Sequence, residues 1–380
     1  MAKIVVVTYT NALDNYGQVL QYYATQVYLE GRGHNVFVHY EGSSFLNTFK
    51  KKLKRIVNCY TSKPFFQKIE LSPTDSSNLS EEEKEKQILF AKWQEVIERT
   101  EKLHSRRFKE FKKQHFHIKR CALSKLHNLH LDACVVGSDQ TWSGIWDYFF
   151  LDWAPKGAKR IAIAPSVGHK VYSRNEIEKA RVYLEKFDLI TVREENGVEF
   201  CKEAGRDDAI KILDPTFLLS SADYAEIEKK HNQQTPYVLL YLLGGEIGID
   251  VSEIYSFANK EGLDVVYVAS QGREDDYPKY YAEVGEWLSL IHDAKYVFTN
   301  SFHGMAFSLI YHKPFLVFPL VGIMKGMNGR IYDLSHIMSL NKVYNGNLEA
   351  VKDEIDYDYV NYIVDKNKET LSENLKKINL

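Results

Sequence analysis

The feature that most constrains this 380-residue chain is a recurring unit. A short apolar run rich in β-branched residues leads into a polar turn, and apolar residues at helical spacing follow. Residues 4–8 make the first run and residues 11–17 the first turn. Val19, Leu20, Tyr23, Val27 and Tyr28 then recur at helical spacing up to Gly31, and residues 35–40 return to strand chemistry. A β-α-β start with a crossover of this length suits a parallel sheet. Further strand-like runs fall at 133–136, 160–164, 189–192 and 210–213, and again at 237–243, 264–269, 295–299 and 315–318. In the later half, helices are expected near 249–261, 284–292 and 305–311.

Asp214-Pro215 closes the first series and marks a domain boundary. The expected organisation is an α/β domain over 1–217, a second over 218–345, and a charged helical segment over 346–380 that crosses back onto the first domain. Residues 42–130 break the rhythm and read as a helical insertion. It holds a basic segment (50–55), a polar patch (72–80) and one long charged helix over 80–114. In a second basic segment, 106–120, Phe108, Phe111 and Phe116 are interleaved with Arg106, Arg107, Lys109, Lys112, Lys113, Lys119 and Arg120. That pattern fits a solvated helix face or contact with an anionic membrane surface.

Composition narrows the function classes. Lys+Arg number 49 against 51 Asp+Glu, so no basic excess points to nucleic acid. No apolar run approaches the ~18 residues of a membrane helix, and the first residues lack a signal-peptide pattern, so a cytoplasmic location is expected. Cys59, Cys121, Cys134 and Cys201 are scattered and are read as reduced thiols. His115, His117, His127 and His130 have no Cys or acidic partners at ligand spacing, so no metal site is expected.

In parallel sheets, ligands lie beyond the carboxyl ends of the strands. The first strand delivers Asn15, Gly17 and Gln18 there, and a later one Gly137-Ser138-Asp139. Another runs straight into Arg193-Glu194, and a second-domain strand delivers Asn300-Ser301-Phe302-His303-Gly304. Arg193 fits either a structural salt bridge with Glu194 or Asp214, or a bidentate clamp for phosphate or carboxylate. His303 fits a core or capping histidine, or an acid and phosphate binder, with Ser301 and Gly304 opening a helix N-terminus toward an anion. Asp139 fits an Asx-turn, or a carboxylate that binds a sugar hydroxyl or acts as base. Lys325 and Arg330 offer further positive charge from the second domain.

Several blocks together resemble the polysaccharide pyruvyl transferase family. They are Asp14-Asn15-Tyr16-Gly17-Gln18-Val19-Leu20-Gln21, Val136-Gly137-Ser138-Asp139-Gln140-Thr141-Trp142, Thr191-Val192-Arg193-Glu194 with Gly197, Leu213-Asp214-Pro215-Thr216, Thr299-Asn300-Ser301-Phe302-His303-Gly304 with Lys313-Pro314, and Asn328-Gly329-Arg330-Ile331. Gly329 departs from the pattern, since family members often carry Ser before the Arg. The resemblance implies a GT-B-like fold, two Rossmann-like domains facing across a cleft, with the helical insertion in the first. It implies transfer of pyruvate from phosphoenolpyruvate, the donor substrate, to a sugar diol as a cyclic ketal, in capsular or exopolysaccharide biosynthesis. No cofactor is expected. Family acceptors are often lipid-linked, which would bring the enzyme to the inner face of the cytoplasmic membrane. By the same resemblance, Arg193 and His303 are the residues tied to phosphoenolpyruvate. Two alternatives stay open: a nucleotide-sugar glycosyltransferase on the same architecture, with Glu286 toward a ribose, and a non-catalytic component of polysaccharide assembly.

Overall fold

The computed structural model describes residues 1–10, 15–41, 81–168, 171–270 and 273–380. Asp14, the basic segment 50–55 and the rest of 42–80 lie outside the described residues. Two parallel sheets organise the chain. The first has seven strands in the order β3-β2-β1-β4-β5-β6-β7, and the second four, in the order β11-β10-β8-β9. The first-sheet strands are β1 (Lys3–Val7), β2 (Asn35–Glu41), β3 (Ile118–Cys121), β4 (Ala133–Val136), β5 (Lys159–Ala162), β6 (Leu189–Val192) and β7 (Ile210–Lys211). The second sheet holds β8 (Tyr237–Tyr241), β9 (Asp264–Tyr267), β10 (Tyr296–Thr299) and β11 (Phe315–Val317). All pairings between these strands are parallel. The central strands β4, β6 and β8 are buried at every position, as a sheet covered on both faces requires.

The helices are α1 (Tyr16–Gly31), α2 (Glu81–Leu103), α3 (Phe108–His115), α4 (Arg174–Leu184), α5 (Glu195–Glu203), α6 (Ser221–Ala225), α7 (Val251–Lys260), α8 (Val284–Asp293), α9 (Phe302–Ile310), α10 (Gly329–Ile337) and α11 (Tyr357–Lys377). α1 is buried continuously from Tyr16 to Gln26, so its polar side chains can look only to the protein for partners. Gln26 accepts from the His117 backbone at 3.1 Å and donates to the His115 carbonyl at 3.0 Å. This pins β3 at the sheet edge.

Two expectations for the insertion are corrected. The single helix over 80–114 is broken, because Arg107 takes a left-handed conformation (φ 52°) between α2 and α3. At this break the Arg106 side chain turns inward, over the Phe108 ring and toward the Ala269 carbonyl at 3.5 Å, while Arg107 meets Glu283 at 3.2 Å. The helical insertion also contributes β3, an edge strand whose Lys119 and Arg120 are exposed. The interleaved phenylalanines are not available to a membrane: Phe108, Phe111 and Phe116 are all core residues. Lys112 is buried too. Its ammonium donates to the Thr10 carbonyl at 3.0 Å, and burial with Lys109 and Arg120 nearby lowers it to about 8. Among the described residues no helix is long and apolar enough to cross a membrane.

The domains are joined by aromatic packing. Tyr16 stacks on Trp287 at 5.0 Å, meets Tyr241 edge-on, and donates its hydroxyl to the Ala282 carbonyl at 2.7 Å. α11 spans both domains. Tyr357 donates to the Lys313 carbonyl at 3.1 Å, Asn367 accepts from the Leu213 backbone at 3.0 Å, and Ser372 accepts from Arg32 at 2.8 Å. Trp287 is fully buried at this joint. Trp287→Ala should therefore cost about 3–5 kcal/mol of stability in urea unfolding.

Candidate functional site

Because each sheet is parallel, the ends of its strands meet on one rim, and the two rims face one another. Arg193 directly follows β6 and has no loop in which to turn outward. Its side chain is 3% exposed and donates to Asp214 at 2.7 Å, Ser138 at 3.3 Å and Glu194 at 3.4 Å. Burial works against its charge, and Glu194 and Asp214 outweigh that and raise it further. Both structural salt bridges considered from the sequence are therefore formed. Yet one guanidinium nitrogen, Nη2, is buried with no partner among the described residues.

Asp214 is the hub. It stands where β7 gives way to a 3-10 turn, and its Oδ1 accepts from Thr216 N at 3.0 Å and Thr216 Oγ1 at 2.9 Å. Its Oδ2 takes Arg193 and Ser138, with Nε2 of His303 3.6 Å away. Burial alone would raise this carboxyl; the His303 imidazole and the Arg193 guanidinium overcome that and hold it far below the usual carboxylate range.

The second domain closes the site. Ser301 caps α9, and His303 lies in the first turn with its side chain 14% exposed. The imidazole packs on Gly17 of α1, where an added Cβ would overlap the ring. Gly17 is thus needed for the close approach of His303 across the domain boundary. Phe302 carries two guanidiniums over its ring, Arg193 at 5.3 Å and Arg330 at 5.8 Å. Burial and the neighbouring Arg193 pull Arg330 down to about 10, against the opposing effect of Glu194, Asp139 and Asp214. Among the described residues, Arg330 Nε and His303 Nε2 are likewise buried without a hydrogen-bond partner. So is Oε2 of Glu194, whose Oε1 is bonded to Ser166 and Arg193.

The other sequence candidates divide. Asp139, in a left-handed conformation (φ 78°), is held by Gln18 Nε2 at 2.7 Å and by the Gln140 backbone at 2.8 Å. It stands at the rim with its charge felt by both arginines. Asn15 caps α1 through the Gln18 amide. The Ser301 hydroxyl takes the Gly304 N–H at 3.3 Å, and Gly304 faces Thr299, whose Cβ would lie 3.0 Å from an added methyl. These two residues build the turn and do not present an open amide to an anion at Gly304. Lys325 is exposed, and among the described residues no bond ties it to the cluster. Glu286 accepts from Glu283 N at 2.8 Å in the α8 cap and from the Tyr280 hydroxyl at 3.3 Å. Among the described residues no group of three His, Cys, Asp or Glu is placed to hold a metal ion.

Asp214 and Glu194 stand out in the sequence only as salt-bridge partners for Arg193, and Phe302 only within a block shared with the family. The signal for Asp214 was a carboxylate before proline at a strand end, which reads equally as a turn. Nothing local distinguishes Phe302 from a core residue.

The sequence profile described as polysaccharide pyruvyl transferase matches residues 15–320, well over half of the chain. The chain belongs to the polysaccharide pyruvyl transferase family. That makes it a transferase acting in polysaccharide pyruvylation, and the matched span contains Gly17, Asp139, Arg193, Asp214 and His303. No curated protein sequence matches it significantly. Among solved structures it is similar to a UDP-GlcNAc 2-epimerase from Methanocaldococcus jannaschii, with a TM-score of 0.50 at 11% identity, covering 99% of each chain. It is also similar to a UDP-N-acetylglucosamine 2-epimerase from Rickettsia bellii, with a TM-score of 0.49 at 10% identity, covering 99% of this chain and 96% of that one. The likeness is one of fold: the architecture is GT-B-like, two Rossmann-like domains facing across a cleft.

Two predictions follow from this geometry. Gly17→Ala should displace the His303 ring and lower transferase turnover by at least ~10-fold, a misplacement effect, while the melting temperature stays within a few degrees. For Asp214 the folded value lies below the unfolded value of about 4, so its contribution is present above pH ~4 and is lost as pH falls below it. Unfolding measured from pH ~5 to ~2 should show that decline, and Asp214→Asn should flatten it.

Proposed function

We propose that this transferase moves pyruvate from phosphoenolpyruvate to a sugar diol as a cyclic ketal, in capsular or exopolysaccharide biosynthesis. The observation that carries this reading is the pair of buried, unpartnered nitrogens on Arg193 and Arg330, brought together over the Phe302 ring. Two guanidiniums brought together with N–H groups to spare suit a ligand with two anionic groups. Phosphoenolpyruvate has a carboxylate and a phosphate on one carbon.

In the reaction, His303 supplies a proton to the methylene carbon of the donor, which makes the central carbon electrophilic. The first sugar hydroxyl adds to that carbon, the bond to the phosphate oxygen breaks, and the second hydroxyl closes the ring. Of the two hydroxyl protons, one is balanced by the new methyl group and the other leaves with inorganic phosphate. No further reagent is needed. Arg193 and Arg330 hold the donor and stabilise the charge that gathers on the departing phosphate. Asp139, already oriented by Gln18, binds the acceptor hydroxyl. The acceptor in this reading is a sugar, carried by a lipid-linked oligosaccharide at the inner face of the cytoplasmic membrane.

Calorimetric titration with phosphoenolpyruvate tests the donor site. Wild type should bind, and Arg330→Gln and Arg193→Ala should each weaken binding by at least ~10-fold, the effect of losing a charged hydrogen bond. Phosphate release should require a diol acceptor. Binding of UDP or GDP in place of phosphoenolpyruvate would favour the glycosyltransferase reading. Phosphoenolpyruvate binding with no phosphate released by any sugar acceptor would favour a non-catalytic role.

A further inference from the structure

The least exposed charged group near the site has no part in the chemistry above. The Asp214 side chain is 0% exposed and faces both Arg193, at 2.7 Å, and His303, at 3.6 Å. Its two oxygens have separate tasks. Oδ1 is locked by the backbone and hydroxyl of Thr216, two residues along its own turn. With that oxygen fixed, the direction of Oδ2 is fixed as well, and Oδ2 is the oxygen that gathers Arg193, Ser138 and His303.

We propose that Asp214 is the positioning residue of this site: its one carboxylate sets the Arg193 guanidinium and the His303 imidazole, supplied by different domains, in the relative placement the reaction uses. The His303 ring is gripped from two sides. Gly17 leaves no room for a Cβ beneath it, and Asp214 faces Nε2 at 3.6 Å. At 3.6 Å the contact is an ion pair without a hydrogen bond, and a negative oxygen facing one ring nitrogen favours the hydrogen on that nitrogen and thereby determines what the other nitrogen offers. The same carboxylate engages Nη1 of Arg193 and leaves Nη2 without a partner, available for the donor. Asp214 touches no reacting atom; it acts through the two residues that do. The inference rests on the proposed reaction only for what those two residues then accomplish.

The test separates this role from that of a buried staple. Full-length protein labelled with 15N-histidine would be read by two-bond proton–nitrogen correlation, with His303 assigned by the loss of its signals in His303→Gln. In wild type the hydrogen should reside on Nε2, facing Asp214. In Asp214→Asn the His303 ring should become a tautomer mixture, and turnover should fall at least ~100-fold, as expected when a catalytic imidazole is released from its carboxylate. If Asp214→Asn does not fold by circular dichroism, Thr216→Val takes its place. It frees Oδ1 from one donor while keeping the charge, and should show a smaller change of the same kind, with Thr216→Ser restoring wild-type spectra and rate. His303 signals that coincide with wild type in a folded Asp214→Asn or Thr216→Val protein would overturn the proposal, even if stability or turnover had dropped. The spectra need no substrate. Failure of wild type to bind phosphoenolpyruvate would sink the donor assignment and leave this reading standing or falling on its own.

Discussion

The site depends on a carboxylate removed from water. Asp214 is buried between an arginine of the first domain and a histidine of the second. Burying a charge is costly unless it is paired and hydrogen-bonded, and breaking such a pair commonly costs about 3–5 kcal/mol because the remaining charge is stranded. Asp214 has four hydrogen bonds from Thr216, Arg193 and Ser138, so the arrangement is satisfied in only one geometry. The ends of β4, β6 and β7 must meet at one point to make it, and α9 must approach from the other domain.

The contrast with the groups around it defines the site. Asp214 is fully engaged, whereas Arg193, Arg330 and Glu194 each keep one polar atom that is buried and unpartnered among the described residues. Buried polar groups are ordinarily paired, and a cluster of exceptions marks where a ligand completes the bonding. Arg330, lowered first by burial and then by the neighbouring Arg193, shares the Phe302 ring with that second guanidinium. Asp139, in a conformation that few residues other than glycine adopt, adds local backbone strain at the same rim.

The rest of the fold keeps the two rims at this separation. Tyr16, at the start of the helix that carries Gly17, is stacked on Trp287 and hydrogen-bonded to the second domain. The Arg106–Arg107 break directs the insertion onto that domain, and α11 clasps both. The residue that supports His303 therefore sits one position from the residue that joins the domains.

Strand positions were legible in the sequence because a parallel sheet buried on both faces needs continuous apolar runs, and β4 and β6 occupy residues 133–136 and 189–192, as their apolar runs predict. The rim was legible for the same reason: residues that follow such runs are placed at the strand ends. Arg193, His303 and Asp139 could be named from that alone. β3 was not legible, since a half-exposed edge strand with two basic residues has no apolar signature, and neither was the break at Arg107, which comes from packing against another domain. Ser301 and Gly304 looked like an open anion site, but whether a capping hydroxyl faces its own helix or a ligand is decided by neighbours. The sequence by itself determined the periodicities, and with them the parallel sheets and the chemistry on their rim. Only the tertiary structure decided that Asp214 joins Arg193 to His303, that Gly17 makes room for the imidazole, and that Arg330 shares Phe302 with Arg193. These are contacts between residues far apart in the chain, and hydrophobic patterning says which face a residue occupies but not which distant residue it will meet there.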